Sequence, residues 1–423
     1  MGGLFATGRV QAVAEVILIT VGGPDRPGIT ADLTGILARY EVTILDIGQA
    51  VIHNTLSLGM LIEAPEEERG CSVFRDLLFK AHERNLQIRF SPVSEADYEA
   101  WVAAQGQPRH IVTLLGRQIS ARHLARVTEV VSAHGFNIDE ISRLSGRLSL
   151  KQLATDTQRG ASVQLCLSGE VQDIAKMHAD FLRISLELDL DLAVQEDNLY
   201  RRSRRLVCFD MDSTLIQAEV IDELAKVAGV GEEVAAITEQ AMRGELDFVE
   251  SFGRRLALLK GLDESVLQEV ARGLPITAGA ERLIRILKHF GYKVAILSGG
   301  FTYFANHLRD KLGIDYVYAN ELDFDNGKLT GKVRGDVIDG ERKALLLRQL
   351  AEREGISLEQ VIAVGDGAND LPMLAIAGLG IAFHAKPVVK EQARHSIATL
   401  GLDAILYLLG MRDREIAELE RQA

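Results

Sequence analysis

The stretch "RRLVCFDMDSTLIQAEVIDE" (residues 204–223) opens with the apolar run 206–209. It then places Asp210 and Asp212 two residues apart, followed by a Ser-Thr pair and by Glu219. A short apolar run of this kind predicts a strand buried on both faces, as in parallel sheets. Three similar runs follow, "KVAILSG" (293–299), "VIAVGDGAND" (361–370) and "GLGIAFH" (378–384), with helical patterns between them. Short apolar strands alternating with helices predict a doubly wound α/β sheet. Ligands bind beyond the carboxyl ends of the strands in such a sheet. Those ends carry Asp210 and Asp212, then Ser298 and Gly299, then Asp366, Asn369 and Asp370. A single pair of strand-end acids reads as turn chemistry. Three polar ends in one sheet, joined by Lys343 in "IDGERKALLL" (338–347), read as a site.

Outward from this stretch, residues 216 to about 285 carry helical patterns and no strand signal, and they read as a lid over the sheet. "NELDFDNGKLTGKV" (320–333) holds an Asn-Gly turn between strand-like halves and predicts a hairpin. On the N-terminal side, "EDNLYRRSRR" (196–205) is polar, carries four arginines and reads as a solvated linker. Before it, residues 14–95 read as strand, helix, strand, strand, helix, strand, and the same order recurs over 109–196. Aligning Tyr40-Glu41-Val42 with His134-Gly135-Phe136 makes this an internal repeat shifted by 94 residues.

The whole chain sets limits. Its 423 residues are too many for one core and predict two to four domains. A net charge of −13 argues against general nucleic-acid or anionic-membrane binding, both of which need a basic surface. Cys71, Cys166 and Cys208 are scattered, which suits a reducing cytoplasm and offers no zinc site. Any metal is therefore expected to be a hard cation held by oxygen. The N-terminal "MGGLFATGRVQAVAEVILITV" (1–21) is too short in its apolar part to span a bilayer, and Ala6 breaks the myristoylation pattern.

The motifs "DMDST", "SGG", the Lys343 segment and "GDGAND" together resemble the haloacid dehalogenase (HAD) superfamily of phosphohydrolases, over about 206–410. The resemblance implies a HAD-like Rossmannoid parallel sheet, taken here as 206–423, with a small helical cap at about 216–285. It implies Asp210 as nucleophile, Asp212 as general acid and base, and Mg²⁺ held by Asp210, Asp366 and the backbone carbonyl of Asp212. Ser298, the Gly299 amide, Lys343 and Asn369 would grip the phosphate, with Asp370 supporting the metal ligands. A carboxylate attacks phosphorus without first losing a proton, and an alkoxide leaving group needs an acid. Both facts agree with those roles. Lys332 is the rival to Lys343.

The insert is similar to the cap of phosphoserine phosphatases. "DMDSTLIQAEVIDELA" and "GELDFVESFGRRLALLKG" match that family, which implies Glu219 on the substrate ammonium, Arg255 on its carboxylate and Phe248 over the site. Arg254 is the rival to Arg255. The two βαββαβ (ferredoxin-like) units resemble ACT domains, 14–95 and 109–196, which bind amino acids and pair between subunits. Gly22, Asp25 and Gly28 in "GGPDRPGIT" match the ligand loop, whereas the second copy keeps only Gly116. The expectation is a cytoplasmic, Mg²⁺-dependent phosphatase acting on O-phosphoserine in serine biosynthesis, assembled as a homodimer or higher oligomer and regulated by an amino acid such as serine. Its rivals are a phosphatase or phosphotransferase for another phosphoamino acid or a phosphoprotein, and an amino-acid sensor with a non-catalytic HAD domain.

Overall fold

A computed structural model describes residues 15–63, 67–149, 151–152, 160–243 and 245–422. The N-terminal stretch 1–14 weighed above lies outside them. No helix among the described residues is long and apolar enough to cross a membrane. The chain divides into two compact units after Gln107.

The first unit has β1 (Val16–Pro24), β2 (Ile44–Ile52), β3 (Thr55–Glu63) and β4 (Gln87–Val93), in the order β2-β3-β1-β4. All three pairings are antiparallel. Helices Ile29–Arg39 and Glu67–Glu83 complete the βαββαβ unit. Ile29, Leu33, Ile36 and Leu37 recur at helical spacing and are buried against alternate residues of β3, Leu56, Leu58, Met60 and Ile62. Gly28 sits at φ 91 as the cap of the first helix, a left-handed conformation that glycine adopts without a Cβ penalty. A further helix, Glu95–Ala104, is started by Ser94, whose hydroxyl accepts from the Asp97 amide. The sequence reading had no helix there.

The second unit begins with β5 (Arg109–Gly116), β6 (Asn137–Arg143), β7 (Ala161–Ser168) and β8 (Asp191–Glu196), in the order β6-β7-β5-β8. This is the same topology as the first unit. Glu41 (φ 57) and Gly135 (φ 78) occupy matching left-handed positions after the first helix of each copy. The 94-residue shift fits only the first half of the repeat. β3 starts at Thr55 and β7 at Ala161, so the offset there is 106 because the β6–β7 connection is longer.

Next comes a seven-stranded sheet of β9 (Leu206–Phe209), β10 (Lys293–Phe301), β11 (Tyr316–Asp325), β12 (Lys328–Arg334), β13 (Val361–Gly365), β14 (Leu379–Phe383) and β15 (His395–Ile397). Its order is β12-β11-β10-β9-β13-β14-β15, parallel except for the β11–β12 hairpin. Asn326 and Gly327, at φ 49 and 75, make the tight turn of that hairpin. β9, β13 and β14 are buried along their whole length, as their unbroken apolar sequences require. One face packs on helices Ala280–His289 and Thr302–Leu312, the other on Gly340–Arg353 and Leu371–Ile376. Helices Val220–Ala228, Gly231–Met242, Phe248–Leu258 and Val266–Gly273 form the insert. Its two connections to the sheet are joined by a bridge between Ile216 and Ile276.

The segment 196–205 corrects the solvated-linker reading. Arg201 and Arg204 are buried, and their guanidiniums donate to the side chains of Gln164 and Gln195 at 3.0 Å each. Burial lowers the Arg204 pKa to about 10. Around them the second βαββαβ unit is fastened to the large sheet. Asp191 accepts from the Ala398 and Thr399 amides, Gln195 donates to the Leu408 carbonyl, and Asp413 accepts from the Gly146 amide. Leu115, Leu144 and Ala193 belong to the same apolar cluster as Ile405 and Ile416. A run of four arginines looks solvated because charge normally stays in water. Here the second unit covers two of them.

Candidate active site

β9 is followed directly by Asp210, whose amide donates to the Val364 carbonyl of β13. That bond fixes Asp210 where two parallel strands part. Asp210 Oδ1 accepts from the Met211 amide at 2.7 Å and lies 2.9 Å from Lys343 Nζ. The next residues turn sharply. Ser213 sits at φ 55 with its amide on the Ala218 carbonyl, and its hydroxyl donates to Glu219 Oε1 at 2.9 Å. Glu219 is thereby folded back over the end of β9, and the Val220 amide donates to Asp212 Oδ1 at 3.0 Å.

β13 delivers Asp366 and Asp370. Asp370 is fully buried, and its Oδ2 accepts from the Asp366 and Gly367 amides at 3.1 and 3.0 Å. Gly365 makes this possible, because a Cβ there would overlap the Asp370 carboxyl group. Thr214 donates to Asp366 Oδ1 at 2.9 Å. Oxygens of Asp210, Asp366 and Asp370 all lie within 4.8 Å of one another.

These carboxylates strain one another electrostatically. Burial, then Glu219 and Asp210, push the Asp212 pKa well up. Burial with the charge of Asp210 raises Asp366 to about 8 and Asp370 to about 6. Burial works against the Lys343 ammonium, yet Asp210 and Asp370 outweigh it and hold its pKa above the ordinary value. Lys343 is wholly buried on helix Gly340–Arg353, whereas Lys332 is exposed on β12. Of the two rivals, Lys343 is the one that pairs with Asp210 and Asp370. One ammonium against several converging carboxylates leaves a surplus of negative charge. The oxygen donors and that surplus suit a hard divalent cation.

β10 brings Ser298, fully buried, with its hydroxyl accepting from the Gly300 amide at 2.9 Å. Gly299 is held from behind by Asn320, which donates to its carbonyl at 2.8 Å while accepting from the Ile338 amide at 2.9 Å. Above it stands Phe248 of the insert. A Cβ on Gly299 would come within 2.8 Å of the Phe248 ring. Phe248 stacks on Phe252 at 6.1 Å, and Phe252 meets Phe301 at 5.9 Å, so an aromatic column joins insert to sheet.

Arg255 lies seven residues after Phe248, on the same helix face. It is half-buried, with Nη1 3.5 Å from Thr238 Oγ1. Its rival Arg254 is exposed and pairs with Glu250 at 2.6 Å. Glu219 borders the cleft beneath. Burial raises its pKa, with help from Asp210 and Asp222, while the Ser213 hydroxyl and Arg255 oppose the rise. Asn369 lies beside Gly367 at the end of β13. Of the sequence candidates, those of the large sheet and its insert thus gather at one cleft. Gly22 and Asp25 lie at the end of β1 and in the turn after it, Gly28 caps the next helix, and Gly116 ends β5. Thr214, Ser213 and Asn320 also belong to the cleft, and none of them has a role in the expectations above. "DMDST" contained the first two, and nothing near Asn320 marked it.

The arrangement has a carboxylate beside an ammonium, a second carboxyl whose pKa is raised, and small residues under a hydrophobic lid. That is the equipment for moving a phosphoryl group. Residues 204–378 match the haloacid dehalogenase-like hydrolase family, and residues 15–91 and 108–195 each match an ACT domain family. The phosphoserine phosphatase of Streptomyces coelicolor is 41% identical, over 95% of this chain and 93% of its own length. The phosphoserine phosphatase SerB2 of Mycobacterium tuberculosis is 39% identical, over 95% and 94%. The chain belongs to the phosphoserine phosphatase family. Among solved structures, a probable phosphoserine phosphatase of Vibrio cholerae, in unliganded form, aligns with TM-score 0.55 and 35% identity, over 74% of this chain and 88% of that one. As a member of the family the chain is a phosphatase, built from a HAD-like hydrolase domain preceded by two ACT domains.

Proposed function

We propose that this phosphatase is Mg²⁺-dependent and hydrolyses O-phospho-L-serine to L-serine and phosphate through a phosphorylated Asp210. The observation that carries the reading is the contrast at the end of β9. Asp210 bears a lysine ammonium at 2.9 Å, while burial, Glu219 and Asp210 raise the pKa of Asp212, two residues on, well above the ordinary carboxyl range.

In the first half-reaction Asp210 attacks phosphorus, the bond from phosphorus to the serine oxygen breaks, and Asp212 gives its proton to that oxygen. In the second, Asp212 as a carboxylate takes a proton from water. The water oxygen bonds to phosphorus, and the bond to Asp210 breaks to release phosphate. Lys343, Ser298, the Gly299 amide and Asn369 offset charge on the phosphoryl oxygens. Asp210, Asp366 and the backbone carbonyl of Asp212 would hold the Mg²⁺, with Asp370 buttressing them, and the ion would supply positive charge against the phosphate. Glu219 receives the substrate ammonium and Arg255 its carboxylate in a guanidinium fork. Phe248 closes the cleft against water.

The same reading assigns amino-acid binding to Gly22, Asp25 and Gly28 of the first ACT domain, with serine as feedback effector. It puts the enzyme in the cytoplasm as a homodimer or higher oligomer at the end of serine biosynthesis. Phosphate release from a panel of phosphoamino acids, with and without Mg²⁺ and free serine, tests it. O-phosphoserine should be strongly preferred, chelation should abolish turnover, and serine should alter the rate. Equal rates on phosphothreonine and phosphotyrosine would overturn the substrate assignment.

A further inference from the structure

Arg255 is under-supported for a residue that must hold a planar fork in one orientation. Among the described residues its Nε, shut off from solvent, has no hydrogen-bond partner, and the guanidinium's only hydrogen bond is the long one from Nη1 to Thr238. Thr238 spends its own proton on the Val234 carbonyl, so only a lone pair faces the guanidinium. On the neighbouring insert helix Val220–Ala228, Asp222 has the complementary defect. Its Oδ1 is likewise shut off from solvent without a partner. A buried donor and a buried acceptor left unmet each destabilise the fold. Two such atoms on packed helices call for a common explanation.

Charge links the two residues. Burial pushes the Asp222 pKa up, and the Arg255 charge opposes that rise more than any other group does. Glu219 also feels Arg255, and its Oε1 is already taken by Ser213. Arg254, next in sequence, satisfies itself on Glu250 at the surface and cannot substitute.

We propose that Asp222 is the positioning residue for Arg255. The two groups are not hydrogen-bonded in this structure; when substrate binds, the Asp222 carboxylate moves onto the Nε–H edge of the guanidinium and turns the two Nη groups toward the substrate carboxylate. Asp222 does not touch the substrate. It sets how strongly the enzyme prefers a phosphorylated amino acid to a phosphorylated amine lacking the carboxylate. The inference rests on the reading that Arg255 receives that carboxylate.

The test compares O-phosphoserine with phosphoethanolamine, which keeps the phosphate and ammonium and lacks the carboxylate. Asp222→Asn should raise KM for O-phosphoserine about tenfold, as expected for loss of one charge-assisted hydrogen bond, with kcat within about twofold. For phosphoethanolamine, kcat/KM should stay unchanged. Asp222→Glu, which restores the charge, should recover most of the lost selectivity. Equal losses on both substrates, or Asp222→Glu behaving like Asp222→Asn, would show a merely structural role and overturn the proposal. Arg255→Gln separates the two ideas, since it should abolish the preference for O-phosphoserine. Were that preference to survive Arg255→Gln, the assignment of Arg255 itself would fall. With Arg255→Gln losing selectivity and Asp222→Asn keeping it, only the role of Asp222 would be refuted.

Discussion

Lys343 stands between two carboxylates, its Nζ 2.9 Å from Asp210 Oδ1 and 2.7 Å from Asp370 Oδ1, with none of the residue exposed. A buried ammonium held this way is part of a network, and removing it leaves uncompensated negative charge in a confined space. Lys343→Met should therefore lower kcat by roughly 10²–10³-fold, because the phosphoryl oxygens lose their nearest organic cation. The metal-free variant should also melt below the wild type, and Mg²⁺ should narrow the gap. Calorimetry with and without the ion checks this, and an unchanged kcat would remove Lys343 from the chemistry.

The raised pKa of Asp212 favours its acid form, and an acid matters most when the leaving group is poor. Asp212→Asn should slow O-phosphoserine, whose alkoxide needs a proton, by roughly 10²–10⁴-fold. p-Nitrophenyl phosphate, whose leaving group needs no acid, should suffer far less in the phosphorylation step. Single-turnover rates for the two esters give the ratio, and equal losses would argue against Asp212 as the acid. Because burial and the neighbouring carboxylates raise the Asp212 pKa, the wild-type rate of phosphorylation should fall on the alkaline side of it. Asp212→Asn should lack that limb.

Phe248 and Gly299 fit each other as lid and seat. A Cβ at Gly299 would fall 2.8 Å from the Phe248 ring and 3.3 Å from the Ile338 carbonyl, so Gly299→Ala must push the ring away. We expect Gly299→Ala to lower kcat/KM by roughly tenfold or more, in line with the sensitivity of catalysis to small displacements. In a Phe248→Ala background the same change should cost much less. A double-mutant cycle measures that coupling, and strictly additive effects would mean the two residues do not meet during turnover.

Much of this site was legible because each strand announces itself twice, by an apolar run and by the polar residues that end it. "LVCFD" could only be a buried strand with Asp210 at its carboxyl end, and the same logic exposed Ser298 and Asp366. Lys343 needed the motif order to be told from Lys332, and burial supplied the physical distinction. Asn320 was not legible. Its role is to tie the Gly299 carbonyl to the Ile338 amide, two groups 21 and 18 residues away, and no local pattern encodes that. Arg201 and Arg204 misled for the opposite reason, since a local pattern of charge was overridden by a distant surface that covers it. The helix Glu95–Ala104 escaped because none of its residues is buried, so it has no apolar stripe to read.

His395 joins the second ACT domain to the large sheet. Nε2 lies 2.9 Å from the Val194 carbonyl of β8 and Nδ1 lies 3.2 Å from the Gly380 carbonyl of β14. Both contacts favour the charged ring, yet burial outweighs them and brings the pKa from 6.5 down to about 4. The folded pKa is thus below the unfolded one. Between those two values the unfolded chain binds more protons, so stability falls as pH is lowered through the window. Above about 6.5 the group adds no pH dependence, and below about 4 it adds none either. His395→Gln should remove this share, making the decline over that window shallower by at most about 1.4 kcal/mol per pH unit. The raised pKa values of Asp366 and Asp370 act in the opposite sense on acidification, and they are common to both proteins. The informative quantity is therefore the difference in slope between wild type and variant, from urea midpoints at a series of pH values. Identical slopes would mean that His395 is not held neutral at the junction.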